Sequence, residues 1–306
     1  MAAPGPALGW EGCPQPPRNP LRTFVSAVAV LIGLLMAAVA VPAMWVDQNI
    51  VQEEGFVALT APLGKDPAFQ QRLAAAAVDG LAASAGIPEA FTELARPVLD
   101  SAARSLTGLP GYPEAWAETL RRSHRLTFAD PSTLPPEVDG TSSLTLDVAP
   151  LAGLVAKQVT AATTLPLEAP GQVLIHIGQS DQRQMIERVT VYAPMGYAVA
   201  VGAAIAFILA FVAARRRWTV LVGMGVGTLV LAGVWKLASD AAGAAVAGTS
   251  SGNDVAELFK NEFVAACSAS FGQWIVAAAV AGAALVATGV AVRVAGGRKR
   301  GRIEHR

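Results

Sequence analysis

Four stretches of the chain are almost wholly apolar, 23–46, 191–214, 218–238 and 271–292, and each comes near the ~20 residues that a helix needs to cross a ~30 Å hydrocarbon core. Elsewhere apolar positions recur with a shorter rhythm. Asp66-Pro67 reads as a helix start, with Asp at the cap and Pro in the first turn, and Phe69, Leu73, Ala77 and Leu81 then share one face up to Gly86. A second period, Phe91, Leu94, Val98, Ala102 and Leu106, runs from Pro88 to Gly108 and is kinked or split by Pro97. A third helix is expected over 113–128, with Trp116 and Leu120 one turn apart.

After a Pro/Ser/Thr/Asp-rich linker, 130–143, the period changes to two. Leu144, Leu146 and Val148 alternate, 151–159 reads as helix, and Val173, Ile175 and Ile177 alternate again, before Ser180-Asp181 opens a helix that runs on into the second apolar stretch. Two strands alone are marginal, so they are expected to lie on the helices or to pair with another chain. Between the third and fourth stretches, Asp254 with Glu257 three residues on forms a capping box. Val255, Leu258, Phe259 and Phe263 gather on one side, which predicts a short amphipathic helix over 254–266. The Gly/Ala/Ser run 243–252 reads as slack that lets it fold back on the domain or lie at the membrane surface.

The expected fold is therefore a membrane protein, mainly α: four transmembrane helices plus an extracytoplasmic helical domain with a small strand–helix–strand unit. Its divisions are a tail (1–22), transmembrane helix 1 (23–46), the extracytoplasmic domain (47–190), transmembrane helix 2 (191–214), helix 3 (218–238), an outer loop with the amphipathic helix (239–270), helix 4 (271–292) and a basic tail (293–306). Charge orients it. The net charge is zero, 23 basic against 23 acidic residues, but Arg18 and Arg22 precede the first span, Arg215, Arg216 and Arg217 knot the second to the third, and Arg293 to Arg306 follow the fourth. An even number of crossings puts all these cations on one side, and the positive-inside rule makes that side the cytoplasm. Residues 47–192 carry seventeen acids against ten bases, which excludes a basic nucleic-acid footprint. Trp45, Tyr192, Tyr197, Trp235 and Trp274 fall at outer span ends and Trp218 at an inner one, as an interfacial belt requires. The first span also resembles a secretory signal with Ala38-Val39-Ala40 before a cleavage point. Its length and the closing Trp45 favour an uncleaved signal anchor in the plasma membrane, whereas cleavage would leave three spans.

Candidate chemistry is sparse. Cys13 and Cys267 lie on opposite sides in this topology and cannot pair within a chain, so Cys267 is either a small buried residue or an intermolecular link. With His124, His176 and His305 scattered singly, no metal site and no cofactor are expected. Gly248-Thr249-Ser250-Ser251-Gly252 matches the nucleophile-elbow spacing, but its loop context lacks the strand and helix that the elbow needs, so no catalytic residue is assigned. Gly223 and Gly227, with Ala278 and Gly282 at the same spacing, are expected to pack helices, either within the bundle or across a dimer seam. On the third amphipathic helix Arg121 and His124 are one turn apart with Trp116 beside them. That trio offers an anion site, or else a structural cluster in which Trp116 fills the core, His124 satisfies a carbonyl and Arg121 pairs with Glu118 or Asp147.

Trp116, Arg121 and His124, followed by Leu146-Asp147-Val148-Ala149-Pro150-Leu151, Lys157 and Ser180-Asp181-Gln182, resemble a family of uncharacterised actinobacterial integral membrane proteins. Phe56-Val57 through Ala61-Pro62-Leu63 is similar to the start of that family's exported domain, and the resemblance covers most of residues 20–295. It implies one N-terminal span, an exported helical domain and three further spans. It implies no reaction. Three functional classes remain: a non-enzymatic envelope protein that senses or scaffolds through its exported domain, a channel or transporter subunit with that domain as a cap, and a membrane-bound envelope enzyme. The first is favoured. Its partners would be the lipid bilayer and another membrane or envelope protein, or a second copy of itself. Ionisable side chains are confined to the span ends, which argues against an ion-coupled pathway.

Overall fold

The computed structural model describes residues 20–71, 105, 108–129, 145–154, 157, 171–172, 174–176, 183–249 and 254–301. Helix α1 (Pro20–Val46) leads into one π-helical turn, Asp47–Val51, then α2 (Glu53–Thr60) and a 3-10 turn, Ala61–Lys65. Residues 67–71 open a further helix, and the periods read over 72–107 lie almost wholly outside the described residues. Helix α3 (Tyr112–Phe128) follows. Strand β1 (Thr145–Asp147) pairs antiparallel with β2 (Leu174–His176), Leu146 opposite Ile175, and 149–154 are helical. Four helices close the chain: α4 (Arg183–Tyr192), α5 (Met195–Ala213), α6 (Arg217–Ala247) and α7 (Asp254–Gly301).

Four helices are long and apolar enough to cross a membrane, over 22–51, 195–213, 217–247 and 257–295. Two boundaries differ from those the hydropathy pattern gives. The helix expected to run from Ser180-Asp181 into the second span is broken at Ala193-Pro194, because Pro194 has no N–H for the ladder and its ring clashes with the preceding turn; α5 starts just after it. The outer loop is also far shorter than 239–270. Helix α6 runs on to Ala247 and α7 begins at Asp254, so the amphipathic helix is the first part of the last spanning helix. The alanines read as slack are the strongest helix formers, and a Cβ at Gly243 would come into ordinary contact with Val264 and Ser268 of α7.

The spans form two antiparallel hairpins, α1 on α5 and α6 on α7, with α1 also meeting α6. Small residues close them. A Cβ at Gly33 would fall 2.6 Å from the Phe207 ring, and one at Gly196 would fall 2.9 Å from the Met44 backbone nitrogen. On the α6–α7 seam, Gly225 faces the Gly282 carbonyl and Gly289 faces Val222 and the Trp218 carbonyl, while Ala232, Trp235 and Ile275 pack together with Phe271 and Ala278. Positions 222, 225, 229 and 232 on α6, and 271, 275, 278, 282, 286 and 289 on α7, recur every three or four residues, so each set lies along one helix face.

Ala278 and Gly282 therefore lie on this seam, but the paired glycines of α6 do not. Gly223 has nothing within 4 Å, and Gly227 faces Leu34 of α1. Two residues of helix turn through about 200°, so Gly225 looks away from both of its neighbours and packs α7 while Gly227 packs α1.

One contact ties the hairpins together. Pro42 lies inside α1 and cannot donate to the Ala38 carbonyl one turn back. The Trp235 indole of α6 fills that vacancy, Nε1 donating to Ala38 O at 3.1 Å. Trp45 donates likewise to Ser270 Oγ of α7 at 3.1 Å, its ring 5.4 Å from that of Phe271. Both indoles, read as belt residues, are buried between helices. Near the other end of α1, Ser26 Oγ donates to Ala210 O at 2.9 Å.

Candidate functional site

Helix α3 carries the trio singled out by the sequence. Pro113 sits in its first turn with Glu114 near the positive end of the dipole and Arg125 in the last turn, all favourable placements. Its buried face is Tyr112, Trp116, Thr119, Leu120, Ser123, His124 and Thr127. Four of these carry a hydroxyl, Tyr112, Thr119, Ser123 and Thr127. Ser123 and Thr127 bond back to the carbonyls four residues earlier, at 2.6 and 2.8 Å, which satisfies them inside a packed face.

Trp116 belongs to the apolar cluster of Phe56, Leu63, Phe69, Tyr112, Leu120 and Phe259. It is 1 % exposed. Gly64 lies flat beneath its ring, where a Cβ would be 2.3 Å away, Phe69 meets it edge-on at 6.1 Å, and its Nε1 donates to Thr60 O at 3.4 Å. His124 is equally enclosed. Its ring stacks on Phe128 at 4.4 Å and tilts against Phe56 at 5.1 Å. Nε2 lies 3.0 Å from Ile50 O in the π turn, and since a carbonyl only accepts, Nε2 carries the proton and donates. Burial holds the His124 pKa below the ordinary imidazole value, opposed by the Ile50 and Val51 carbonyls and by the charge of Glu53.

Arg121 behaves differently. Its guanidinium is exposed and pairs with Glu118 at 3.5 Å. Glu118 also takes Arg122 at 3.2 Å and Arg125 at 3.5 Å, so one carboxylate is shared among three arginines. Arg125 reaches Glu53 of α2 at 3.6 Å, and Arg122 reaches the buried Asp147 of β1 at 3.7 Å. The exposed pairs among these contribute only about 0–1 kcal/mol each. The structure thus places Trp116 and His124 inside and Arg121 outside, and does not bring them to one open surface on which an anion could rest.

What it brings together instead is a polar junction that no sequence motif marks. Asp147 Oδ1 accepts from Ala149 N at 3.0 Å, an Asx turn opening the helical stretch 149–154, and Asp147 N donates to Ser123 Oγ at 3.0 Å. Asp47, buried at the end of the first span, accepts from Gln52 Nε2 at 2.8 Å, and Gln52 N closes the π turn onto Asp47 O at 2.9 Å. Gly55 packs so tightly on this turn that a Cβ would lie 1.6 Å from Gln48 O. The hint in the sequence was the run of hydroxyl residues at helical spacing on a face that also carries Trp116 and Leu120. Chemically the junction fixes backbone. Among the described residues no three His, Cys, Asp or Glu side chains converge as a metal centre would need. Ser250 and Ser251 of the G-x-S-x-G match lie outside the described residues.

Phe259 completes the picture, because it belongs to α7 and yet lies in the same apolar cluster as Trp116. Leu258 and Phe263 pack against that cluster, and the Phe263 ring is 5.9 Å from that of Phe56. This core is therefore built jointly by α2, α3 and the first turns of α7. No protein-family model, curated protein or solved structure matches this chain.

Proposed function

We propose that this chain is a non-enzymatic integral membrane protein of the cell envelope, N- and C-termini cytoplasmic, whose exported domain senses or scaffolds and is held rigidly to its membrane helices. The observation that carries the reading is the shared core. Phe259 and Phe263 extend from the last span into the cluster around Trp116, while His124 grips the carbonyl of Ile50 in the turn that ends the first span. A displacement of the domain is then a displacement of two spans. The spans meet through Gly225, Gly282 and buried indoles that close directly on one another, which favours mechanical support over a water-filled path. The strand–helix–strand unit completes the exported domain in this reading, and membership of the actinobacterial membrane-protein family that the sequence resembles is part of the proposal.

The test combines orientation and capture in intact cells. A cysteine placed in 130–143 should react with an impermeant thiol reagent while Cys13 is spared, and a photo-crosslinking residue at Arg121 should capture a discrete envelope protein or a second copy. Labelling in the reverse sense, or capture of lipid alone from position 121, refutes the proposal.

A further inference from the structure

Where the ends of α5, α6 and α7 meet at Arg217, the spans carry a cluster of charge far from the apolar core around Trp116. Gly289 of α7 has no side chain to hold α6 away, and a Cβ there would fall 3.0 Å from the Trp218 carbonyl. One turn on, Arg293 lies over the Trp218 indole, its Cζ 4.8 Å from the ring centroid. Arg217, the residue before, turns to α5 and covers the Phe211 ring at 5.4 Å. Ser26, bonded to Ala210 O at 2.9 Å, brings Arg22 of α1 to the same end, where Arg215 and Arg216 complete the group.

All of this charge is of one sign. Residues 20–46, 193–235 and 263–301 contain no Asp or Glu, and the first carboxylates beyond them, Asp47, Asp240 and Glu262, lie at the far ends of the spans. Among the described residues Arg217 and Arg293 accordingly make no ion pair, and neither side chain donates a hydrogen bond. A ring face attracts the charge but accepts at most a weak hydrogen bond. The five N–H donors of each guanidinium therefore remain for oxygen acceptors, in the fork geometry that matches a phosphate.

The rings hold both guanidiniums where the apolar runs stop, which in a bilayer is the level of the headgroups. We infer that Arg217 and Arg293, flanking the first turn of α6, bind anionic phospholipid headgroups through their phosphates. Net charge selects among lipids, because the cation of a zwitterionic headgroup offsets its phosphate beside five arginines, whereas phosphatidylglycerol brings no cation. The site needs these helices in a bilayer but no particular sidedness. Under the proposed orientation it faces the cytoplasmic leaflet, whose anionic lipids give that surface its negative potential.

The experiment uses the full chain purified in detergent micelles, to which phosphatidylglycerol, phosphatidylcholine or inorganic phosphate is added, and native mass spectrometry reads an apparent Kd for each. Phosphatidylglycerol is expected to bind about tenfold more tightly than phosphatidylcholine. Arg217→Lys with Arg293→Lys keeps every charge that orients the spans and changes only the forks and their hold on the rings; it should weaken phosphatidylglycerol binding about fivefold. Arg217→Gln with Arg293→Gln should weaken it about thirtyfold. Arg298→Lys with Arg300→Lys, the same exchange further along α7, should change nothing. Equal affinity for the two lipids, or a lysine pair at 217 and 293 that binds as the native chain does, overturns the site and leaves only diffuse charge. Inorganic phosphate that binds through these arginines while phosphatidylglycerol does not would assign them to a soluble anion and overturn the lipid assignment. Micelles have no sidedness, so a reversed topology in cells would refute the proposed orientation and leave this result standing.

Discussion

Trp235→Phe removes one N–H from the membrane-embedded part of the protein, and the consequence depends on a proline in another helix. In the native chain Pro42 cannot give the Ala38 carbonyl its usual donor one turn on, and the indole at 3.1 Å supplies one. Phenylalanine leaves that carbonyl bare. An unsatisfied buried acceptor costs about 1–3 kcal/mol in water-soluble proteins, but interhelical hydrogen bonds in membranes measure about 0.6 kcal/mol on average and about 1.7 at most, so we expect about 1 kcal/mol. The smaller ring also leaves a void beside Ala232 and Ile275, which adds a packing loss of its own. A double-mutant cycle isolates the bond. In Pro42→Ala the helix recovers its own N–H to Ala38, so Trp235→Phe should then lose only the packing term. The coupling energy is therefore about 1 kcal/mol, or about fivefold in the unfolding constant. It is measured by reversible unfolding in mixed micelles for the native chain, the two single variants and the double variant. A coupling energy within about 0.3 kcal/mol of zero would show that the carbonyl is satisfied some other way and would refute the argument.

Trp116→Ala should cost about 3–5 kcal/mol by leaving a cavity in the core, seen as lost abundance, while Arg121→Gln, on an exposed pair, should change stability by less than about 1 kcal/mol; loss of function at normal abundance in the arginine variant would restore the anion-site reading. Gly55→Ala should destabilise by about 3 kcal/mol, because its Cβ would enter the Gln48 carbonyl and force the π turn apart. Gly272→Ala, where nothing lies within 4 Å, should be tolerated, and equal unfolding midpoints for the two would refute the steric account. For His124 the folded pKa is lowered, so stability is fully present above the unfolded value of about 6.5 and is lost as pH falls through the folded one. Midpoints should drop on acidification in the native chain and much less in His124→Gln, and parallel curves would show that another group titrates.

The sequence by itself determined that this chain has four helices long and apolar enough to span a bilayer, since about twenty apolar residues between cation clusters leave few other structures open. It also determined that 113–128 is an amphipathic helix, because Trp116 and Leu120 keep the period and Pro113 marks the start. Both signals are local. What the sequence could not show depends on which faces meet. Gly223, Gly225 and Gly227 look alike in a row, and only the positions of α1 and α7 decide that Gly225 packs one neighbour, Gly227 the other and Gly223 neither. Arg121 and His124 are neighbours by spacing, but the π turn draws His124 inward to the Ile50 carbonyl while Glu118 keeps Arg121 at the surface. Phe259 reads as part of a separate short helix that docks on the domain or lies at the membrane surface; the structure packs it on the domain, but as the first part of α7, which runs unbroken from the apolar cluster into the span. A hydrophobic pattern says that a face will be buried; the partner that buries it is set by chain segments about 200 residues away, through contacts such as Phe263 on Phe56 and Trp235 on Ala38, and those exist only once the chain has folded.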